Sequence, residues 1–151
     1  VAVMYEGEIV QIGTPQDLFE NPEHRFVGYF IGSPGMNFLD CVIDGNVAHV
    51  DGADIPLAEE TAAKGLEAKG KLELGIRPIY LEVHGEPGDN RVEASVRMVE
   101  DLGSYRIMTL RLAGRTLKAN LSEDQHVPER RAWLSFPPQW TRLFADGWLI
   151  K

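Results

Sequence analysis

The chain has 151 residues, 44% of them hydrophobic and 25% charged, a balance that supports an ordinary folded core and excludes disorder over most of the length. Fifteen basic against 23 acidic side chains leave a formal net charge of -8, a field that repels phosphate backbones, so no nucleic-acid partner is expected. The single cysteine, Cys41, excludes an internal disulfide, no apolar run approaches a membrane span, and no signal peptide is visible; the expected location is the cytoplasm.

Val1-Ala2-Val3-Met4-Tyr5 opens inside an apolar, strand-like run with no initiator Met, as expected of a piece of a longer chain. Val1, Val3 and Tyr5 alternate, Glu6-Gly7 supplies turn chemistry, and Ile9 to Ile12 return, predicting a β-hairpin over 1–13 that either forms the edge of a larger sheet or packs on the rest of the chain. Thr14 as cap, Pro15 at the first helical position and Asp17 in the first turn predict a short helix carrying Leu18 and Phe19. Asn21-Pro22 reads as its break and as the cap of a second helix, whose Phe26, Val27, Phe30 and Ile31 recur at helical spacing and are expected to be buried. Gly32-Ser33-Pro34-Gly35 reads as a hinge-like linker, placing a boundary between 1–35 and 36–151.

Beyond it the period changes to that of short strands. Leu39, Cys41 and Ile43 alternate, Asp44-Gly45-Asn46 and Asp51-Gly52 turn the chain, and Leu57 to Ala68 reads as a short helix. Leu72, Leu74 and Ile76 alternate up to the stop at Arg77-Pro78, and 86–90 is a loop. Val92, Ala94, Val96 and Met98 are expected on one face of a longer strand, interrupted by Leu102-Gly103-Ser104. Met108 to Leu112, Leu117 to Leu121, Trp133 to Phe136 and Leu143-Phe144 complete a mainly β pattern. Many short strands with regular turns indicate a small antiparallel barrel or sandwich.

No catalytic, cofactor-binding or metal site is expected from motifs. Gly65 to Lys71 has the G-x-x-x-x-G-K spacing, but Leu72 stands where a phosphate-binding loop needs Ser or Thr, and a helix leads into a strand instead of following one. His24, His49, His84 and His126 lie far apart without metal-ligand spacing. Cys41 has no neighbour to activate it. The pairs Glu59-Glu60 and Glu123-Asp124 read as solvated surface; Glu100-Asp101, beside the strand break, stays open. Trp133, Phe136, Trp140, Phe144 and Trp148 are expected to be core or interface before ligand platform.

Four stretches carry a family resemblance. Met4-Tyr5-Glu6-Gly7-Glu8-Ile9-Val10-Gln11-Ile12-Gly13-Thr14-Pro15 resembles the end of the nucleotide-binding domain of ABC importer ATPases of the maltose, glycerol-3-phosphate and polyamine type. Asp17 to Pro22 and then Arg25 to Phe38, including Phe26, Phe30, Gly32, Ser33 and Pro34, are similar to that family's connector. Leu74-Gly75-Ile76-Arg77-Pro78 and Val99-Glu100-Asp101-Leu102-Gly103-Ser104 resemble two later markers. The resemblance implies an OB-like barrel of the TOBE type at 36–151, a regulatory domain that pairs two ATPase subunits. It marks Gly75, Ile76, Arg77, Pro78, Glu100, Leu102 and Gly103 as regulatory or dimer-contact candidates, and Arg77 as a partner for an acid in its own barrel or across the dimer. It implies a homodimer, membrane permease partners, a small ligand or regulatory protein, and a place on the inner face of the plasma membrane. ATP and Mg would belong to the longer parent, whose catalytic motifs would lie upstream of Val1. The transported substrate would be a sugar, a sugar phosphate or a polyamine. One departure is Ile79-Tyr80, where the family usually has Glu-His. A free-standing barrel sensing oxyanions or sugars is the alternative expectation.

Overall fold

The computed structural model describes residues 1–151. β1 (Ala2–Tyr5) and β2 (Glu8–Ile12) form the antiparallel hairpin expected at the start. Its turn holds Glu6 and Gly7 at φ 51° and 81°, the geometry whose twist matches that of the strands. α1 (Pro15–Glu20) begins with a capping box: Thr14 Oγ1 accepts from the Asp17 amide at 3.1 Å, and Asp17 Oδ2 accepts from the Thr14 amide at 3.2 Å.

α2 (Arg25–Phe30) is capped by His24, whose Nδ1 accepts from the Phe26 amide at 3.0 Å. The expected cap, Asn21, instead ends α1 by donating its amide to Asp17 O. Of the four residues expected to be buried, only Val27 is; Phe26 and Ile31 are half-buried and Phe30 is 64% exposed. The buried side of this six-residue helix is taken by Val27 and Gly28, and Val27 joins Val3 and Leu18 in a small cluster.

Six residues, 31–36, then lead into the β domain. β3 (Asn37–Asp40), β4 (Val42–Asp44), β5 (Val47–Val50), β6 (Ala53–Pro56), α3 (Glu59–Glu67) and β7 (Leu72–Ile76) come first. β8 (Glu82–His84), β9 (Val92–Asp101), β10 (Tyr105–Leu112), β11 (Arg115–Ser122), β12 (Arg131–Ser135), β13 (Arg142–Ala145) and β14 (Trp148–Leu149) follow. One sheet runs β11-β10-β9-β12-β8, a second β14-β13-β7-β3, and β4-β5-β6 form a meander; their ladders are antiparallel. The expected mainly β, OB-like architecture is present, with β8 and β14 as strands too short for sequence periodicity to reveal.

A continuous core of 22 buried residues lies within these sheets, with Leu39, Leu74, Leu110 and Leu134 fully buried. The outer edge of β11 is sealed rather than left open. The Asn37 side chain donates to Lys118 O at 2.9 Å and accepts from the Lys118 amide at 2.8 Å, and the Asn120 amide donates to Pro78 O at 3.0 Å. Asn37 thus substitutes for a strand backbone and ties the two large sheets together, which removes the hazard of an unpaired edge.

Met98 departs from the expected face. Thr109 pairs with Met98 but Leu110 pairs with Val96, so one residue, Arg97, bulges out of the β9–β10 ladder. A one-residue slip reverses the facing of all that follows, and Met98 is left 49% exposed while Ala94 stays buried.

Gly35 marks where the linker presses on α2. An added Cβ there would lie 2.2 Å from the Tyr29 carbonyl oxygen, which is backbone and has nowhere to go. Gly35→Ala is expected to lower stability by about 2–3 kcal/mol in urea unfolding, whereas Gly85→Ala, with its nearest contact at 3.8 Å, is expected to unfold near the wild-type midpoint.

Candidate functional site

Residues Glu73, Gly75 and Arg77 alternate on one face of the β7 segment, opposite the core residues Leu74 and Ile76. That face is not solvated: all three are buried, because the connector lies over it. Glu73 accepts both Arg25 Nε contacts, at 3.0 and 3.1 Å. At Gly75 an added Cβ would meet Phe144 Cε1 at 2.8 Å and Met36 Sδ at 3.0 Å, so only glycine admits this approach.

Arg77 closes the contact. Its Nε donates to Phe19 O at 3.0 Å, Nη1 to Gly28 O at 2.8 Å and to Ile31 O, and Nη2 to Leu18 O at 3.4 Å. Its guanidinium carbon stands 4.3 Å from the centre of the Phe19 ring. These carbonyls belong to the last turns of α1 and α2, where helices leave acceptors unpaired. Burial lowers the Arg77 pKa to about 10, opposed by Tyr80, and the group stays cationic at neutral pH.

The expected acidic partner of Arg77 is therefore replaced by backbone carbonyls. At 2% exposure Arg77 has no surface to offer a second copy, and Gly75, Ile76 and Pro78 are buried as well. Within this chain Gly75 and Arg77 join the barrel to its own connector, while Ile76 packs in the barrel core. Among the expected connector residues, Gly13 and Thr14 lead into α1, Pro15 opens it, and Gly32 lets Arg77 approach, since a Cβ there would lie 2.9 Å from Nη1.

Glu100, Leu102 and Gly103 lie elsewhere, at the exposed tip of the β9–β10 hairpin. Asp101 Oδ1 accepts from the Gly103 amide at 2.9 Å, and Gly103 takes φ 94°, so this acid shapes the turn. Leu102 is 50% exposed, with Met98 and Ile79 also open to solvent. The structure brings the two expected marker segments to different places.

The other sequence candidates do not converge. His24 caps α2 and meets Trp148 edge-on at 4.7 Å, Phe136 and Phe144 are core, and Trp140 stacks on Tyr80 at 4.0 Å. Gly65 lies in the last turn of α3 and Lys71 leads into β7, the order opposite to a phosphate-binding loop. Burial, with the charges of Asp40 and Glu73, pushes the Cys41 thiol up to about 11, so it is a protonated thiol against the core. Three buried polar atoms have no partner: Arg106 Nε, Thr109 Oγ1 and Asn120 Oδ1, each an uncompensated cost of about 1–3 kcal/mol.

Arg25, Asn37, Glu73 and Asn120 escape sequence reasoning. Polar residues in alternating strands read as solvated by default; the available signal is Gly75, a glycine inside a strand, which marks a close approach of other chain segments.

Arg77→Met is expected to lower stability by about 3 kcal/mol or more in urea unfolding and to strip amide-exchange protection from α2, because the four carbonyls lose their donors. Arg77→Lys is expected to recover little, since an ammonium lacks the planar fork. The bond to Asp54, aided by the charge of Asp44, raises the pKa of His49. A raised pKa stabilises the folded state below the ordinary histidine value of about 6.5 and loses that contribution as pH rises through the folded value. An NMR titration is expected to place the His49 ring above that ordinary value, and Asp54→Asn to bring it down.

The chain matches the family models of the MalK OB fold domain over residues 32–78 and the TOBE domain over residues 74–144. It is 36% identical over 141 residues to the trehalose/maltose import ATP-binding protein MalK of Thermococcus litoralis, covering 85% of this chain and 37% of that protein. To the multiple sugar-binding transport ATP-binding protein MsmK of Streptococcus mutans it is 39% identical, covering 86% of this chain and 37% of that one. To the sn-glycerol-3-phosphate import ATP-binding protein UgpC 2 of Agrobacterium fabrum it is 37% identical, covering 95% and 38%. It therefore spans less than two-fifths of the length of these relatives. In fold it is similar to the cytoplasmic molybdate-binding protein ModG, with a TM-score of 0.54 at 12% identity over 74% of this chain and 96% of that one. The chain belongs to the OB-fold and TOBE domain family of MalK-type ABC importer ATP-binding subunits.

Proposed function

We propose that this chain is the regulatory and dimerisation region of the ATP-binding subunit of an ABC importer, serving uptake of a sugar or sugar phosphate. The observation that carries the reading is the Arg77 clasp, through which the barrel grips the ends of both helices that follow the N-terminal hairpin. Movement of whatever adjoins the hairpin is thereby passed to the barrel. The hairpin has an apolar side ready for such a neighbour, with Met4, Ile9 and Ile12 each more than half exposed. The printed substrates of the relatives, maltose, other sugars and glycerol-3-phosphate, support the substrate class.

In this reading ATP and Mg are bound by residues outside this chain, the whole subunit lies at the inner face of the plasma membrane, and permease subunits are its membrane partners. Two copies meet through their barrels. The exposed tip at Met98, Val99, Glu100, Leu102 and Gly103 is the contact this geometry supports, since three apolar side chains stand there together, clear of the connector. A barrel working alone as a sensor has no use for a buried arginine committed to the connector.

Light scattering is expected to show a concentration-dependent dimer that Leu102→Asp converts to monomer without moving the thermal midpoint. The chain alone is expected neither to bind nor to hydrolyse ATP. A strict monomer at high concentration removes the dimer reading, and tight nucleotide binding by these residues removes the assignment to a regulatory region.

A further inference from the structure

One cleft of the barrel differs in chemistry from the others. It has a volume of about 530 Å³ and is lined by Ile79, Ser104, Tyr105, Asn120, Leu121, Ser122 and Gln125. That size falls among small-molecule sites, which run from about 300 to 1,000 Å³. No charged side chain lines it. The other main clefts each carry charge: Asp51, Asp54 and Arg91 in one, Arg25 and Lys118 in a second, Asp40 and Lys71 in a third, Glu86 and Arg91 in a fourth.

The lining is built from neutral hydrogen-bonding groups. Asn120 Oδ1 is buried without a donor in the cleft wall, while the Asn120 backbone is pinned to Pro78 O. Gln125 is held in place by donating Nε2 to Val83 O at 3.2 Å, which leaves its Oε1 as an acceptor. Ser104, Tyr105 and Ser122 add hydroxyls that both donate and accept, and Ile79 and Leu121 add apolar wall. Arg106 is not among the lining residues, and its Nη2 donates to the carbonyls of Ser122, Glu123 and Gln125 at 2.9, 2.8 and 2.6 Å. These three bonds hold the 122–125 turn that forms one side of the cleft.

We propose that this cleft binds a neutral polyhydroxy compound of mono- or disaccharide size. An oxyanion requires cationic donors and a polyamine requires carboxylates, and the cleft presents neither. A polyol presents alternating hydroxyl donors and acceptors along apolar C–H faces, the complement of this lining. Asn120 is the residue that gains most, since a small rotation of its amide gives the unpartnered carbonyl a hydroxyl donor. The site rests on this geometry and not on the transporter reading, so it holds or fails on its own. Its position beside Leu102 places any occupant next to the proposed contact between copies.

The test is an amide NMR titration of the dilute 151-residue chain with maltose, trehalose and glucose, with sulfate and spermidine as charged controls. At least one sugar is expected to shift Ser104, Tyr105, Asn120, Ser122 and Gln125 together, and neither control to do so. Asn120→Leu is expected to weaken that binding at least tenfold. Ile79→Trp, at a position 57% exposed, is expected to obstruct the cleft while leaving the fold intact, so loss of binding there cannot be ascribed to unfolding. The proposal is overturned by a flat titration with all three sugars, by equal shifts with sulfate or spermidine, or by sugar binding that both variants leave unchanged. Self-association and ATP measurements do not bear on this result.

Discussion

A buried guanidinium with no carboxylate beside it is the constraint on which the arrangement depends. Removing a charge from water is costly unless its hydrogen bonds are replaced. Arg77 replaces them with four carbonyl oxygens drawn from two helix ends 46 to 59 residues earlier in the chain. The two helices must therefore stop at one point in space. Thr14 and His24 set where each begins, and Gly32, at φ 117°, leaves the space the guanidinium occupies. Any displacement of one helix end would leave both a cation and a carbonyl unpaired, so the connector is held by a many-bonded contact that resists partial release.

This clasp makes β7 a strand with two loyalties. Leu74 and Ile76 face the barrel core, while Glu73, Gly75 and Arg77 face the connector and serve it in three ways: an ion pair with Arg25, an absence of side chain, and a cation for carbonyls. The period-2 geometry of a strand allows this division without compromise between the faces. A force applied to α1 or α2 is delivered to a central strand of the β14-β13-β7-β3 sheet, not to an edge loop. Asn37 carries the coupling onward, since its side chain bonds the Lys118 backbone of the other large sheet.

The free surface is correspondingly divided. The connector side is occupied by the chain itself, and four of the main clefts carry charged side chains. The β9–β10 tip carries exposed apolar residues and has an uncharged cleft beside it at Ser104 and Tyr105. The bulge at Arg97 creates this tip by turning Met98 out of the core. The proposed contact for a second copy and the proposed cleft for a neutral ligand are thus neighbours, which is the geometry through which an occupant would alter subunit pairing.

Local chemistry was legible in the sequence wherever the signal is local. The hairpin at 1–13, the Thr14–Asp17 capping box, the α3 segment and the alternating runs from Leu72 to Leu121 follow from spacing and turn residues alone, and the mainly β class follows from their number. The resemblance at 3–38 and 74–78 supplied the family. What the sequence did not disclose are relations between distant segments. Asn21 looked like a cap because it is a good one, but His24 holds that place once Gln11 Oε1 accepts from the Glu23 amide and keeps the chain extended up to it. Phe30 has a core-like period yet lies outside, since Val27 and Gly28 take the buried side of its short helix. Arg77 read as half of an ion pair, and only folding shows that two helix ends converge on it. Sequence determines which residues can bend, cap and alternate, because those properties depend on neighbours a few residues away; tertiary structure alone decides which faces are covered and by whom, because burial and hydrogen-bond partnership are set by segments that the chain brings together from afar.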